Sequence, residues 1–212
     1  PSVAKYAMPR MSEIAMDTLR YCFFSGERLL ANWALSWMGA AKNAQVFNCY
    51  GPTETTIVCT TEHLNVLDSS YFESNQVLPL GDPFEGMELS LEKGEICFKG
   101  DQVFVGYVQE LTSEASDFFQ TGDMAELDEN GKLIFKGRKD EQVQINGYRV
   151  ELSAIDACLL KECKVNSKSL LLHDSAKTDK IITVVEMNEF ESPKLLSYLG
   201  KYLPSYSWPS VI

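Results

Sequence analysis

Residues 48–56 read NCYGPTETT, and these types suit the handling of a phosphorylated ligand. Hydroxyls of Thr53, Thr55 and Thr56 can donate to phosphate oxygens, and the Glu54 carboxylate is the hard oxygen donor that a magnesium ion takes. The same residues serve equally well as a polar turn before a Thr-rich strand. A second stretch, FFQTGDMAEL at 118–127, sets Asp123 just beyond a glycine, where an ionised carboxylate could accept both hydroxyls of a ribose. A plain Thr-Gly-Asp turn is its alternative. A third, GRKDEQVQINGYRVELSAID at 137–156, gathers a guanidinium, carboxylates, a hairpin signal and a helix in that order.

The elements around these stretches follow from periodicity. YCFF at 21–24 reads as a buried strand, and Ser12 as the cap of a short helix at 13–19. Between Glu27 and Lys42, Leu29, Leu30, Trp33, Ala34, Trp37, Met38 and Ala41 recur at three- and four-residue steps, one face of an amphipathic helix. AQVFNCY is the next strand, and strand–helix–strand at this spacing implies parallel pairing. It places Thr53 and Glu54 at a strand's carboxyl end, where open α/β sheets bind ligands. From 62 to 136 the candidates VLPLG, MELSL, EICFKG and GKLIF, separated by turn residues, predict a small antiparallel barrel or sheet, with Asn130-Gly131 closing one hairpin. Beyond 141 come a hairpin at 142–152 turning on Asn146-Gly147, a helix near 153–162, the strands SKSLLLH and KIITVVEM, and a helix starting at Ser192-Pro193. The tail LPSYSWPSVI reads as extended. The expected fold is α/β and α+β: the end of a parallel-sheet α/β subdomain at 1–61, a small antiparallel β-barrel-like subdomain at 62–139, and an α+β subdomain at 140–212.

The three stretches together resemble the adenylate-forming, AMP-binding enzymes. Within them the chain is similar to the amino-acid-activating branch, the adenylation domains of peptide synthetases and the D-alanine–carrier-protein ligases. The resemblance implies ATP and AMP as nucleotides, with Mg²⁺ held by Glu54. It assigns Asn48 to the adenine amino group, Tyr50 to the adenine face and Thr53 to the α-phosphate, and makes FFSGERL, with Ser25, Gly26 and Glu27, the adenine loop next to Cys49. Asp123 would hold the ribose with Arg138 as a second contact. Asp140 would be the hinge on which the C-terminal subdomain turns between adenylate formation and thiol transfer, and Gly147 the bare backbone beside a carrier protein's phosphopantetheine arm. Phe23, Ser25, Cys49, Ile57 and Val58 would line the acyl pocket. None is charged, and an unpaired buried charge is costly, so a small or apolar amino acid is the implied substrate.

Three parts of the family's machinery, a Ser/Thr/Gly/Lys-rich phosphate loop, an Asp-bearing segment that grips the substrate ammonium and an NGK-type lysine, are not found in the 212 residues. The expectation is therefore a piece of a longer enzyme, inactive alone, whose N-terminal half is a further partner. Two rivals stand beside it. An acyl-coenzyme A ligase would follow its hairpin with a proline where Glu151-Leu152-Ser153 stands here, and a non-catalytic nucleotide- or carrier-binding module would need no phosphate loop.

A net charge of −11 argues against a nucleic-acid or anionic-membrane surface, and no apolar run approaches the roughly 20 residues of a membrane span. Six scattered cysteines without a CxxC pair, with only His63 and His173 to assist, disfavour zinc and fit reduced thiols in a cytoplasmic protein.

Overall fold

The computed structural model describes residues 1–108, 118–145, 147–172, 179–187 and 192–212. Asn146 and His173, named above, lie outside the described residues, as do the side chains of Ser192 and Pro193. The chain divides into two compact units, Pro1–Lys139 and Asp140–Ile212.

In the first unit, helix α1 (Ser2–Ala7) runs into a 3₁₀ turn, Met8–Glu13. The helix expected at 13–19 does not form. Ser12 sits inside the 3₁₀ turn, whose early Pro9 brings no N–H to an α-helical ladder. Strand β1 (Tyr21–Phe24) follows, then α2 (Ala31–Ala40) and β2 (Gln45–Tyr50). β1 and β2 pair in parallel, Phe24 opposite Asn48, as the strand–helix–strand spacing predicts. Alternation turns Phe24 and Val46 toward a core shared with Leu29, Ala34 and Leu78, while Tyr21 and Phe23 take the opposite face. α2 is shorter than the expected 27–42 because Leu29 and Leu30 are used elsewhere. The Leu29 carbonyl accepts the Leu78 N–H at 3.0 Å, and Leu30 bridges to Val77.

β3 (Thr60–His63) returns antiparallel to β2, helix α3 (Ser69–Ser74) follows, and the two-residue β4 (Asp82–Pro83) completes this sheet in the order β1-β2-β3-β4. Position 61/62, expected as a boundary, falls within β3. VLPLG does not make a strand. Pro79 has no donor, and its neighbours bond in two directions, Leu78 to Leu29 and Leu80 to the Leu133 carbonyl. The second sheet is an antiparallel meander of β5 (Met87–Glu92), β6 (Glu95–Gly100), β7 (Phe119–Leu127) and β8 (Leu133–Arg138), packed around Ile96 and Phe98. Its register shifts between Glu95 and Cys97 and between Met124 and Ala125, irregularities of the kind that re-aim side chains beside a site.

The second unit holds the hairpin β9 (Gln142–Ile145) and β10 (Tyr148–Glu151), helix α4 (Leu152–Cys163), the antiparallel pair β11 (Asn166–Leu172) and β12 (Lys180–Glu186), and helix α5 (Ser192–Tyr202). Ile155, Leu159, Ile181 and Leu199 form its core. The tail is not simply extended: Ser205–Ser207 is a 3₁₀ turn, and Val211 joins β12 beside Ile182. All six cysteines are free. Among the described residues no helix is long and apolar enough to cross a membrane.

Candidate functional site

The end of β2 is where the chemistry-bearing residues collect. After Tyr50 the chain turns through Gly51-Pro52 into a 3₁₀ turn, Thr53–Thr55, then passes Thr56 (φ 59°) and Ile57 (φ 76°) before β3. Gly51 is required by proximity, since a Cβ there would stand 2.8 Å from the Ile57 carbonyl oxygen and 2.9 Å from the Cys59 nitrogen. Left-handed backbone at a β-branched residue is an uncommon, strained conformation that concentrates at functional sites. Here the loop is held by its surroundings: Thr55 Oγ1 donates to the Pro52 carbonyl, Thr56 Oγ1 to the Gln102 carbonyl, and Gln102 Nε2 to the Val58 carbonyl.

Across from this turn stands the TGD stretch on β7. Tyr50 donates its phenol to Asp123 Oδ2 at 2.6 Å, and Arg138 Nη1 donates to Asp123 Oδ1 at 2.7 Å. Register places Arg138 directly opposite Asp123, and the guanidinium also reaches the Thr121 carbonyl at 3.1 Å. Thr121 is buried, donates to the Ile96 carbonyl and accepts the Asp123 N–H, which fixes the turn from below. The side chains of Arg138 and Asp123 are only 14% and 10% exposed, so this pair is held in a largely dehydrated corner. Burial, reinforced by the Asp123 charge and hydrogen bond, pushes the Tyr50 phenol well above its ordinary pKa. It therefore stays a donor, and its ring, tilted against Phe98 at 6.2 Å, keeps one orientation. An ionised carboxylate such as that of Asp123 is the acceptor type that ribose hydroxyls take.

Glu54 is buried and faces the segment that precedes β7. Its Oε1 accepts the Tyr107 hydroxyl at 2.7 Å, and its carbonyl accepts the Phe104 N–H at 2.8 Å. Phe104 packs edge-on against Phe119, the first residue of β7. Both carboxylates singled out from sequence are thus tied to the same strand, Asp123 directly and Glu54 through Phe104. Among the described residues no three His, Cys, Asp or Glu side chains cluster as a protein-built metal cage requires. A lone buried carboxylate fits magnesium, which takes one or two protein oxygens and completes its shell with water and substrate phosphates.

Other named residues are more scattered. Asn48 is buried on β2 and donates its amide to the Pro79 carbonyl at 2.7 Å, which fixes the side chain and directs its carbonyl oxygen as the acceptor end. Thr53 is exposed on the 3₁₀ turn. Ser25, Gly26 (φ 85°) and Glu27 form the loop after β1, and Glu27 accepts a bond from Ser2. Cys49 is buried beside Thr61, and burial pushes its thiol up. Phe23 is 64% exposed and Ile57 69% exposed, with Val58 partly buried. The concavity of about 520 Å³ near α2, lined by residues such as Ile14, Ser36 and Lys42, includes none of the five residues assigned to an acyl pocket. In the second unit, Asp140 accepts the Gln142 N–H at 3.0 Å, and Gly147 has φ 81° with open space where a Cβ would lie.

Sequence reasoning missed Tyr107, Phe104 and Glu95, and gave Thr121 no role of its own within the Thr-Gly-Asp stretch. Of those missed, only Glu95 left a visible trace, an acid set between Gly94 and the apolar run Ile96-Cys97-Phe98. The others are ordinary residues made important by contacts that spacing does not reveal.

The model for the AMP-binding enzyme family matches residues 2–108. The chain is 31% identical over 220 residues to a D-alanine–D-alanyl carrier protein ligase of Staphylococcus aureus, covering 95% of this chain and 44% of that protein. It is also 31% identical over 192 residues to bacitracin synthase 1 of Bacillus licheniformis, covering 79% of this chain and 4% of the synthase. Among solved structures it is similar to the Vibrio cholerae adenylation domain AlmE in complex with glycyl-adenosine-5′-phosphate, with a TM-score of 0.82 and 26% identity over all of this chain and 44% of that one. The chain thus spans less than half the length of these relatives. With the family model matching residues 2–108 and the fold shared with the AlmE adenylation domain, it belongs to the AMP-binding, adenylate-forming enzymes.

Proposed function

We propose that this chain supplies the adenosine-holding part of an enzyme that activates a small or apolar amino acid with ATP and passes it to a carrier protein. In the first half-reaction a carboxylate oxygen of the amino acid attacks the α-phosphorus of ATP, and the bond to pyrophosphate breaks. In the second, the phosphopantetheine sulfur attacks the acyl carbon and AMP leaves with its electron pair. Most of the acceleration of such a displacement comes from positioning and electrostatics. Tyr50 gives the adenine a fixed face, Asn48 presents an acceptor to the exocyclic amine, and Asp123 takes the ribose hydroxyls with Arg138 beside it. Thr53 donates to an α-phosphate oxygen. Glu54 would hold Mg²⁺, which neutralises phosphate charge when bound.

The observation that carries this reading is the buried Tyr50–Asp123–Arg138 corner. The relatives support the substrate class by their names: one acts with D-alanine and a carrier protein, and another structure contains a glycyl adenylate. Asp140 would serve as the hinge and Gly147 as the passage for the carrier's arm. The chain alone is proposed to bind AMP without catalysing amino-acid-dependent pyrophosphate exchange.

Calorimetry with AMP and with its 2′,3′-dideoxy analogue tests the corner. AMP should bind at least about tenfold more tightly, the worth of a charge-assisted hydrogen bond. Equal affinity for the two, or no binding of either at millimolar concentration, would refute the assignment.

A further inference from the structure

Glu95 is a buried acid that the nucleotide corner does not use directly. It opens β6 after the Gly94 turn (φ 86°), and a carboxylate so placed must find partners or lose its charge. It has two, from different parts of the unit. Oε1 accepts the Gly122 N–H at 2.9 Å, and Oε2 accepts the Lys139 ammonium at 3.0 Å. Lys139 in turn donates its own backbone N–H to the Gly122 carbonyl at 2.8 Å. Both polar groups of Gly122, the residue just before Asp123, are therefore tied to one knot containing the last residue of the first unit. Gly122 has φ 75°, so this turn has little freedom to adjust once Asp123 is engaged. The next residue, Asp140, begins the second unit, where its carboxylate caps the Gln142 N–H and Glu141 pairs with Lys168.

We infer that Glu95 is a positioning residue linking the ribose-holding turn to the junction at 139/140, so that a nucleotide bound at Asp123 stiffens Lys139. The inference rests on the nucleotide reading above and adds to it a route by which occupancy reaches the hinge. The ion pair is well suited to this role: Glu95 is 9% exposed and fixed, whereas Lys139 is 65% exposed and can be released at small cost to the fold.

Amide hydrogen exchange on the 212-residue chain, with and without saturating AMP, tests it. In the wild type AMP should slow exchange about tenfold both at 119–127 and at 137–143, as ligand-coupled ordering requires. In Lys139→Met and in Glu95→Gln, which keeps an oxygen for the Gly122 N–H, slowing at 119–127 should persist while that at 137–143 falls below about twofold. Lys139→Arg should restore it. Lys139→Met protects against a misreading from failed folding, because that side chain is mostly exposed. If Lys139→Met keeps the full effect at 137–143, or if wild-type protection stops at 119–127, the linkage is wrong and the nucleotide site stands. If AMP protects neither segment of the wild type, the nucleotide reading fails, and the linkage with it.

Discussion

Two regions of the first unit meet at the end of β2, and they are built differently. The corner of Tyr50, Asp123 and Arg138 is dehydrated and bonded side chain to side chain, each group holding the next. The stretch assigned to the acyl group, from Phe23 to Ile57 and Val58, has its largest side chains in solvent and its backbone in a strained turn. Preorganised donors and acceptors retain their geometry without a ligand, so on the proposed reading recognition of the adenosine would rest on this chain's own fold. Exposed side chains on a strained loop select a substrate only when something closes over them. The contrast bears on why the resemblance assigns a nucleotide to named residues here while leaving the choice of amino acid open.

The harshest way to break the comparison is Asp123→Ala. It strands the Tyr50 phenol and takes the carboxylate from a largely buried guanidinium, and removal of one member of a buried pair costs about 3–5 kcal/mol. Urea denaturation should show a loss of that size, together with disappearance of AMP binding. A loss below about 1 kcal/mol would mean that the corner is solvated and not preorganised.

Glu54→Gln separates metal from nucleotide. Gln still accepts the Tyr107 hydroxyl, so stability should change by less than about 1 kcal/mol. Binding of ATP in the presence of Mg²⁺ should weaken about tenfold, while binding of AMP without metal stays as in the wild type. Equal weakening of both would remove Glu54 from metal duty and make it part of the nucleotide contact.

How legible all this was in sequence varies by the kind of signal. β1, β2 and their parallel pairing are readable because each leaves a periodic trace; Asp123 and Arg138 are singled out by the family resemblance, and the structure sets them opposite each other on β7 and β8. The helix at 13–19 was misread since a cap residue was weighed without the proline three positions ahead of it. VLPLG does not form one ladder because its apolar residues serve two cores, Leu78 the first and Leu80 the other. Tyr107 leaves no trace in the sequence, since its role comes from the return of 104–107 over Glu54; Thr121 lies in the Thr-Gly-Asp stretch, but its bonds to Ile96 and Asp123 come from the register of β7 against β6. The mutual bonding of Tyr50 and Asp123, separated by 73 positions, is likewise a product of packing alone.

A milder probe addresses the strained side. At Ile57, φ 76° places a β-branched residue in left-handed backbone, a penalty of roughly 1–2 kcal/mol. Ile57→Gly removes it, and because the side chain is 69% exposed little packing is lost. The larger unfolded-state freedom of glycine offsets roughly 0.5–1 kcal/mol, so a net stabilisation of about 0.5–1 kcal/mol is expected in urea melts. Destabilisation would show that Ile57 is packed and that the two regions are more alike than their exposures say.

The smallest effect is silent at neutral pH. Tyr50 has its phenol pKa raised by burial first and by Asp123 second, so its hydrogen bond to Asp123 is fully present below the ordinary tyrosine value near 10. It is lost only as pH rises through the higher folded value, because the unfolded chain gives up that proton earlier and gains the advantage there. Absorbance titration of the nine tyrosines should therefore show a late-ionising fraction that includes Tyr50 and Tyr71, and Tyr50→Phe should remove one phenol from that fraction without altering the early one. If Tyr50→Phe instead removes an early-titrating phenol, the ring is hydrated, its grip on Asp123 is loose, and the dehydrated corner loses its distinction from the exposed loop beside it.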